Sequence, residues 1–356
     1  MKRVLVTGCG PASINFVKSL KIAPEKIYVV STDVNKYYTC LSPADKTYLV
    51  PKATDEHYIQ RLNKIIESEK IEFVHPQPDI EVRVIGKNRD KLNALTFLPS
   101  QKTIEICQDK YESYLVWKRK GLPVPKTIEI EKEADVERAF ETLGPPIWIR
   151  AKHGAGGRGS TPAHNLETAV SWIKYWKSRG VNWQFIAQEY LPGRNLAFHS
   201  LWKDGELIVS MARERIEYIY PHLSPSGITG TPSVQKTIHD NKVNKIASEA
   251  VLSIDSKFTG IACVDLKENI EGEPCPTEIN AGRMFTTSFF FSLASKVFYG
   301  DYRANFPYLY LKLAYKEKIP RLSKYNVLPL NIYWIRHMDA PGRIVKDGRI
   351  LGSMYG

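Results

Sequence analysis

Two groups of residues in this chain have the types and spacing to handle phosphate chemistry. The first is the run GAGGRG at 154–159, entered by Arg150 and Lys152 and carrying Arg158 within it. Glycines in succession let backbone N–H groups close around phosphate oxygens without side-chain obstruction, and the flanking cations add charge of the right sign. No Gly-Lys-Ser/Thr follows, so the run is not a Walker A loop; alone it reads equally well as a glycine-rich surface turn. The second group is Asp265 with Glu278 and Asn280. If the strands around them pair as a hairpin, the two carboxylates and the amide converge, because residues two apart on a strand share a face. All-oxygen donors are what Mg²⁺ selects, with phosphates completing its shell, and Mn²⁺ is the alternative ion. Either acid alone would be an ordinary solvated side chain. The cationic glycine loop and the downstream acids together point to a phosphate-bearing ligand held with Mg²⁺.

The elements that must position these groups are readable from pattern. VLVT (4–7) is an apolar strand running into Gly8-Cys9-Gly10-Pro11, followed by a helix over 12–20 and a second strand at 27–32 that ends at Asp33. That opening belongs to a doubly wound parallel sheet. A helix over 58–68 and a strand at 71–76 follow, with Asp79 and Glu81 where such sheets present residues to ligands. Asp109 caps a helix reaching Lys120, IWIR (147–150) is the strand that delivers Arg150, and Asn165 caps the next helix. A strand at 183–191 precedes a hairpin over 197–210 turning at Asp204-Gly205. The Gly/Pro/Ser-rich stretch 221–233 reads as an active-site loop. A helix fills 240–254, the strands 259–266 and 276–280 carry the acids, and the C-terminus holds a strand at 331–339 and a hairpin at Asp347-Gly348. FTTSFFF (285–291) and FPYLYLKLAY (306–315) are aromatic-rich, and Leu309 and Leu313 stand at helical spacing; core is the expected use, a substrate pocket or a homodimer interface the alternatives.

Composition narrows the class. The 356 residues, 43% hydrophobic and 25% charged, describe a globular chain of more than one lobe. The apolar run at the N-terminus is too brief for a signal-peptide core or membrane span, so the cytoplasm is the expected compartment and no membrane partner is expected. Five cysteines without CxxC spacing are expected to be reduced thiols. The formal charge of +12 attracts anions, but it is spread along the chain without a nucleic-acid motif, so nucleic acid is not an expected partner.

With these motifs in order, the chain resembles the ATP-grasp superfamily, most of all one synthetase half of the carbamoyl-phosphate synthetase large chain. The resemblance covers essentially the whole sequence. It implies an α/β (α+β) fold in which two α+β lobes sandwich ATP behind a doubly wound N-terminal domain. Boundaries follow as 1–107 for the N-terminal Rossmann-like domain, 108–190 for the small lobe, 191–320 for the large lobe and 321–356 for a C-terminal strand and hairpin. Asp109-Lys110 resembles the family's Asp-basic pair, which assigns Lys110 to an ATP phosphate. Arg150 stands before Gly156-Gly157 as the family's phosphate-binding cation stands before its loop, with Lys152 as its neighbour. Gln188-Glu189-Tyr190-Leu191-Pro192-Gly193 resembles the adenine segment, with Glu189 at the base amino group and the Leu191 backbone assisting. Gly227-Ile228-Thr229-Gly230 resembles the Gly-Ile-His-Thr-Gly phosphate segment. Asp265, Glu278 and Asn280 fall on the Mg²⁺ positions and Arg283 on that of the catalytic cation.

Three positions depart from the pattern. Arg194-Asn195 stand where an acid usually holds the ribose, so Asn195 inherits that role. Thr229 replaces a histidine. The Glu-x-Asn-Pro-Arg ending reads Glu278-Ile279-Asn280-Ala281-Gly282-Arg283, with one extra residue. The reaction implied is carboxylate activation as an acyl phosphate followed by attack of an amine, with small-molecule carboxylate and amine substrates. Arg213 and Arg215, the PHLSPSG loop (221–227), and Arg336 with Asp339 are the candidates for substrate recognition; the arginines suit a carboxylate through bidentate pairing, with structural ion pairs as the alternative for each. Two rivals stand beside this reading. One is an NAD(P) oxidoreductase built on Gly8-Cys9-Gly10 and Asp33, although Ser13 occupies the third glycine position. The other is a regulatory protein that binds ATP without turning it over.

Overall fold

Parallel strands need long crossovers and antiparallel ones only turns, and both patterns occur in the computed structural model, which describes residues 1–154, 157–338 and 340–353. The N-terminal sheet is parallel: β1 (Arg3–Thr7), β2 (Tyr28–Asp33), β3 (Lys46–Leu49) and β4 (Phe73–His75) lie in the order β3-β2-β1-β4. Its crossovers include helices α1 (Pro11–Lys21), α2 (Lys36–Thr39) and α3 (Tyr58–Glu69). Helix α1 opens on Pro11, whose missing N–H costs nothing at a helix start. Helix α4 (Asp79–Lys87) begins beyond the carboxyl end of β4 and so presents Asp79 toward the later lobes. Then α5 (Gln101–Gln108) and α6 (Lys110–Arg119) follow, and the Asp109 carboxylate caps α6 by accepting from Tyr111 N at 2.8 Å and Glu112 N at 3.1 Å.

A four-stranded antiparallel sheet comes next, from β5 (Thr127–Ile130), β6 (Ile147–Ala151), β7 (Thr161–Ala163) and β8 (Phe185–Glu189), in the order β5-β8-β6-β7. Helices α7 (Glu133–Leu143) and α8 (Leu166–Ser178) cover it through Val136, Ala139, Ala169 and Ile173, packed on Ile147, Ile149 and Ala187.

The largest sheet carries the acids. Its strands β9 (Asn195–Lys203), β10 (Glu206–Tyr218), β11 (Pro232–Ile238), β12 (Gly260–Glu268), β13 (Pro274–Ala281), β14 (Tyr333–His337), β15 (Ala340–Lys346) and β16 (Arg349–Ser353) run in the order β13-β12-β9-β10-β11-β14-β15-β16. Alternation sorts their side chains cleanly. Leu196, Phe198, Ala262, Val264 and Ile279 meet α9 (Asn241–Ile254) and Trp117, whose indole N–H donates to the Ala250 carbonyl at 2.9 Å. The intervening residues turn to the other face. There Ala197, Leu201, Met211 and Ile261 pack with α10 (Ser288–Tyr299), α11 (Phe306–Ala314), α1 through Phe16 and the N-terminal sheet through Val4 and Val29. The aromatic-rich segments are thus mostly core: Phe290, Phe291, Leu309 and Tyr310 are fully buried, which removes them as a dimer interface.

The structure extends one element that the sequence reading stops early. The strand expected to end at 210 runs on to Tyr218, because β9 pairs it as far as Arg215, opposite Asn195, and β11 pairs Glu217 and Tyr218 beyond that. The five cysteines are free thiols. Among the described residues no helix is long and apolar enough to cross a membrane.

Candidate active site

The same face of the large sheet that packs on α10 at one end is polar at the other. Asp265 on β12 is the register partner of Glu278 on β13, and Asn280 is the partner of Cys263. The three oxygen donors therefore stand on neighbouring strands pointing the same way. Each is held by a guanidinium: Asp265 accepts from Arg215 Nη2, Asn280 from Arg283 Nη2, and Glu278 from Arg150 Nη2 at 2.7 Å. Arg150 comes from the small sheet and also donates to the Thr277 carbonyl at 3.1 Å, so the two lobes meet across this contact. Lys110 Nζ lies 3.6 Å from the same Glu278 oxygen and donates to the Gly154 carbonyl at 2.7 Å. Arg283 in turn pairs with Asp79 at the start of α4. Side chains from all three lobes converge here.

Charge is dense and little solvated. Burial on its own would raise the Glu278 carboxyl, but Lys110, Arg150, Arg283 and Arg215 outweigh it and hold the group below the ordinary glutamate range. Burial lowers Lys110, partly offset by Glu278. Burial also acts on Arg215, yet Asp265 beside it raises that guanidinium further. For stability the sign is clear: a depressed carboxylate contributes above its unfolded pKa and loses that contribution as pH falls through its folded one. Urea melts from pH 7 to pH 3 are therefore expected to show the stability gap between wild type and Glu278→Gln shrinking below about pH 4.5. A gap constant across that window would mean that Glu278 is not ionised in the fold.

The remaining expected residues are placed as follows. Arg150, Gln188, Glu189, Leu191 and Asn195 line one cavity together with Asp265, Glu278, Asn280 and Arg283. Glu189 is held at its rim by the Lys126 amide, which donates to its carboxylate at 3.2 Å. Gln188 donates to Thr127 Oγ1 at 2.9 Å. Asn195 Oδ1 accepts from Lys267 Nζ at 3.3 Å, and Lys267 also lines the cavity. Lys267 was not singled out by the sequence reading, although the alternation Cys263, Asp265, Lys267 puts it on the same strand face as the acid. Arg194 points elsewhere, paired with Glu268 and with Asp240 at 3.1 Å. Lys152 does not reach the cavity: its ammonium bonds Glu129 at 2.8 Å and lies over the Tyr111 ring. Glu129 on β5 and Tyr111 on α6 hold that cation away from the cavity. Gly156 lies outside the described residues, as does Asp339.

Gly157 and the 224–231 loop touch. A Cβ added to Gly157 would sit 2.6 Å from the Ile228 carbonyl oxygen, and its φ of +72° favours glycine independently. Ile228 and Gly230 line the cavity, Gly227 has a φ of +69°, and the Thr229 hydroxyl is tied to the Ile219 carbonyl at 2.6 Å, shaping the loop from behind. The oxidoreductase rival loses its acid: Asp33 accepts from Cys9 N at 2.6 Å and Asn35 N at 2.7 Å, so its carboxylate fixes the Gly8-Cys9-Gly10 turn itself.

With this geometry in view, comparison with known proteins is direct. Residues 107–287, more than half of the chain, match the model of the ATP-grasp domain. The chain belongs to the ATP-grasp family. Residues 4–97 match the PylC-like N-terminal domain. Among curated relatives, the arginine-specific carbamoyl phosphate synthase large chain of Halalkalibacterium halodurans is 22% identical over 68% of this chain and 24% of its own length. This chain thus spans about a quarter of such relatives. Among solved structures, carboxyaminoimidazole ribonucleotide synthase from Aspergillus clavatus, complexed with ATP, superposes with TM-score 0.70 at 15% identity, covering 94% of this chain and 81% of that one. Biotin carboxylase from Campylobacter jejuni gives 0.71 at 16% identity over 94% and 74%. At these identities the structures speak for the ATP-grasp fold, and the arrangement of three sheets agrees with it.

Proposed function

We propose that this ATP-grasp protein is an ATP-dependent carboxylate–amine ligase that activates a small carboxylate as an acyl phosphate for attack by an amine. The observation that carries this reading is the junction at Glu278, where cations of the small lobe meet the oxygen donors of the large lobe across the cavity. In this reading Glu189 and the Leu191 backbone hold adenine, and Asn195 with Lys267 holds the ribose. Arg150, Lys110 and the backbone amides after Gly157 hold the phosphates. Asp265, Glu278 and Asn280 fit Mg²⁺, because they are all-oxygen donors on adjacent strands, and the two carboxylates already balance guanidiniums that phosphate can take over. The ion supplies charge neutralisation at the phosphates, and Mn²⁺ suits the same donors. Arg283, oriented by Asp79 and Asn280, stabilises charge on the transferred group and on the acceptor oxygen. The two touching loops exclude water from the activated acid.

The test is a pairwise screen of amino acids and small carboxylates for Mg·ATP-dependent phosphate release. Release that needs both a carboxylate and an amine is the expected result. Intact nucleotide binding without turnover for any pair would favour a regulatory binder. A finer check addresses the ribose. Asn195→Asp is expected to lower the KM for ATP by about fivefold relative to 2′-deoxy-ATP, since a charged acceptor strengthens hydrogen bonds by roughly 1 kcal/mol. An unchanged ratio of the two KM values would remove Asn195 from the ribose.

A further inference from the structure

Four arginines line the cavity, and three have a carboxylate partner: Arg150 has Glu278, Arg215 has Asp265, and Arg283 has Asp79. Arg213 has none among the described residues. It is only 2% exposed, yet Nη1 has no hydrogen-bond partner, and the guanidinium's one recorded bond is from Nε to His199 Nε2 at 2.6 Å. An unpaired buried cation is costly and persists where a ligand supplies the missing charge. Its position says which ligand. Arg213 stands in the same cross-strand row as Asp265 and Glu278, with only Ala197 between it and Asp265. It thus faces the place where the phosphoryl group would be delivered, but from the sheet floor rather than from β6 and α6, which supply Arg150 and Lys110. The ring of His199, which Arg213 bonds, is stacked on Phe285 at 3.8 Å, and Phe285 and Thr286 line the same cavity as the guanidinium. An aromatic wall next to a fixed guanidinium fork suits a small planar anion.

We propose that Arg213, oriented by His199 and flanked by Phe285, seats the planar carboxylate-type oxyanion that receives the phosphoryl group, either an organic carboxylate or bicarbonate. This inference rests on the ligase reading and narrows it. It also separates the three arginine candidates: Arg215 is committed to Asp265, and Arg336 donates to the Pro232 carbonyl at 3.1 Å outside the cavity lining. His199 is a positioning residue here. It must be neutral to accept from Arg213, and burial together with Arg213 and Arg215 holds it well below the ordinary histidine range. Burial, followed by Arg215, lowers Arg213 itself to about 9. The titratable groups around it also include Cys263, Asp265 and Arg336; because Asp265 is paired with Arg215, a bound anion would offset a cluster whose remaining charge is positive.

The test is calorimetric titration of the full chain with acetate and, separately, with bicarbonate, with and without saturating Mg·ADP, at ionic strength fixed by chloride. Wild type is expected to bind one of the two anions, acetate for an organic acid or bicarbonate otherwise. Arg213→Met should weaken that binding about tenfold or more, with Arg213→Lys intermediate because it keeps charge but loses the fork. Mg·ADP affinity should stay within about twofold in both variants. Arg213→Lys, which retains the buried charge, keeps the experiment decisive if circular dichroism finds Arg213→Met unfolded. Anion affinities equal in wild type and Arg213→Lys, or wild type that binds neither anion better than chloride, would overturn the assignment. Failure of wild type to bind Mg·ADP while anion binding still depends on Arg213 would instead sink the nucleotide reading.

Discussion

Glu278→Gln is expected to reduce acceptor-dependent ATP turnover about 10³-fold while leaving binding of metal-free ATP as strong as in wild type or stronger. The two effects have one cause. The Glu278 carboxylate pairs with Arg150 at 2.7 Å and stands 3.6 Å from Lys110, the two cations aimed at the phosphates. In the proposed reading, bound nucleotide would offer those cations phosphate oxygens in place of the carboxylate, which would then be free to help hold Mg²⁺. Glutamine keeps the shape and an acceptor oxygen but not the charge. Metal-free ATP then meets two unneutralised cations and one fewer negative neighbour. Mg²⁺ loses an anionic ligand, and the stimulation of nucleotide binding by the metal should vanish.

The same substitution has a stability signature. Removing the anion from a buried cluster leaves Arg150 and Lys110 uncompensated, a loss of about 3–5 kcal/mol in the free protein. Triphosphate restores the missing charge, so the gap in melting temperature between wild type and variant should narrow when ATP is added. A variant that is merely misfolded would show no such narrowing. Mg-dependent turnover within tenfold of wild type would remove Glu278 from the metal site altogether.

What could be read from the chain alone divides along physical lines. The hairpin of Asp265 and Glu278 was legible because alternating apolar residues at Ala262, Val264 and Ile279 face a strongly amphipathic helix, which forces the polar positions to the opposite side. The caps at Asp109 and Asn165 were legible because each side chain satisfies amides that the helix cannot, whereas Asp240, expected inside its helix, caps it instead. Strands β3, β5 and β7 were not, being three or four residues long with half-buried or mixed patterns. A strand that short carries too few alternations to separate it from loop and is fixed by its neighbours. The site divides similarly. Donor types were visible, but pairing was not: nothing in the order of residues says that Lys152 turns to Glu129, or that Arg215 reaches Asp265 while Arg213 is left with an imidazole. Those choices depend on which strand lies beside which.

The loop contact yields the second large effect. Gly157→Ala is expected to lower kcat by about 10²-fold with little change in the affinity for ADP. Two terms combine at this position. A left-handed φ of +72° is strained for alanine by about 1–2 kcal/mol. The added Cβ would also stand 2.6 Å from the Ile228 carbonyl oxygen, closer than carbon and oxygen tolerate. The first term can be isolated. Gly180 has a φ of +73° and its Cβ would meet nothing within 4 Å, so Gly180→Ala measures backbone strain without the clash. Stability should fall in both variants, at least as far in Gly157→Ala, but only Gly157→Ala should lose turnover, because only there does the alanine force two loops apart. A cleft that cannot seal admits water to the activated acid. The share of ATP hydrolysed without product formation should therefore rise in Gly157→Ala even as total turnover falls. Equal kcat losses in the two variants would mean that backbone strain alone accounts for the effect and that the Gly157–Ile228 contact does not gate the site.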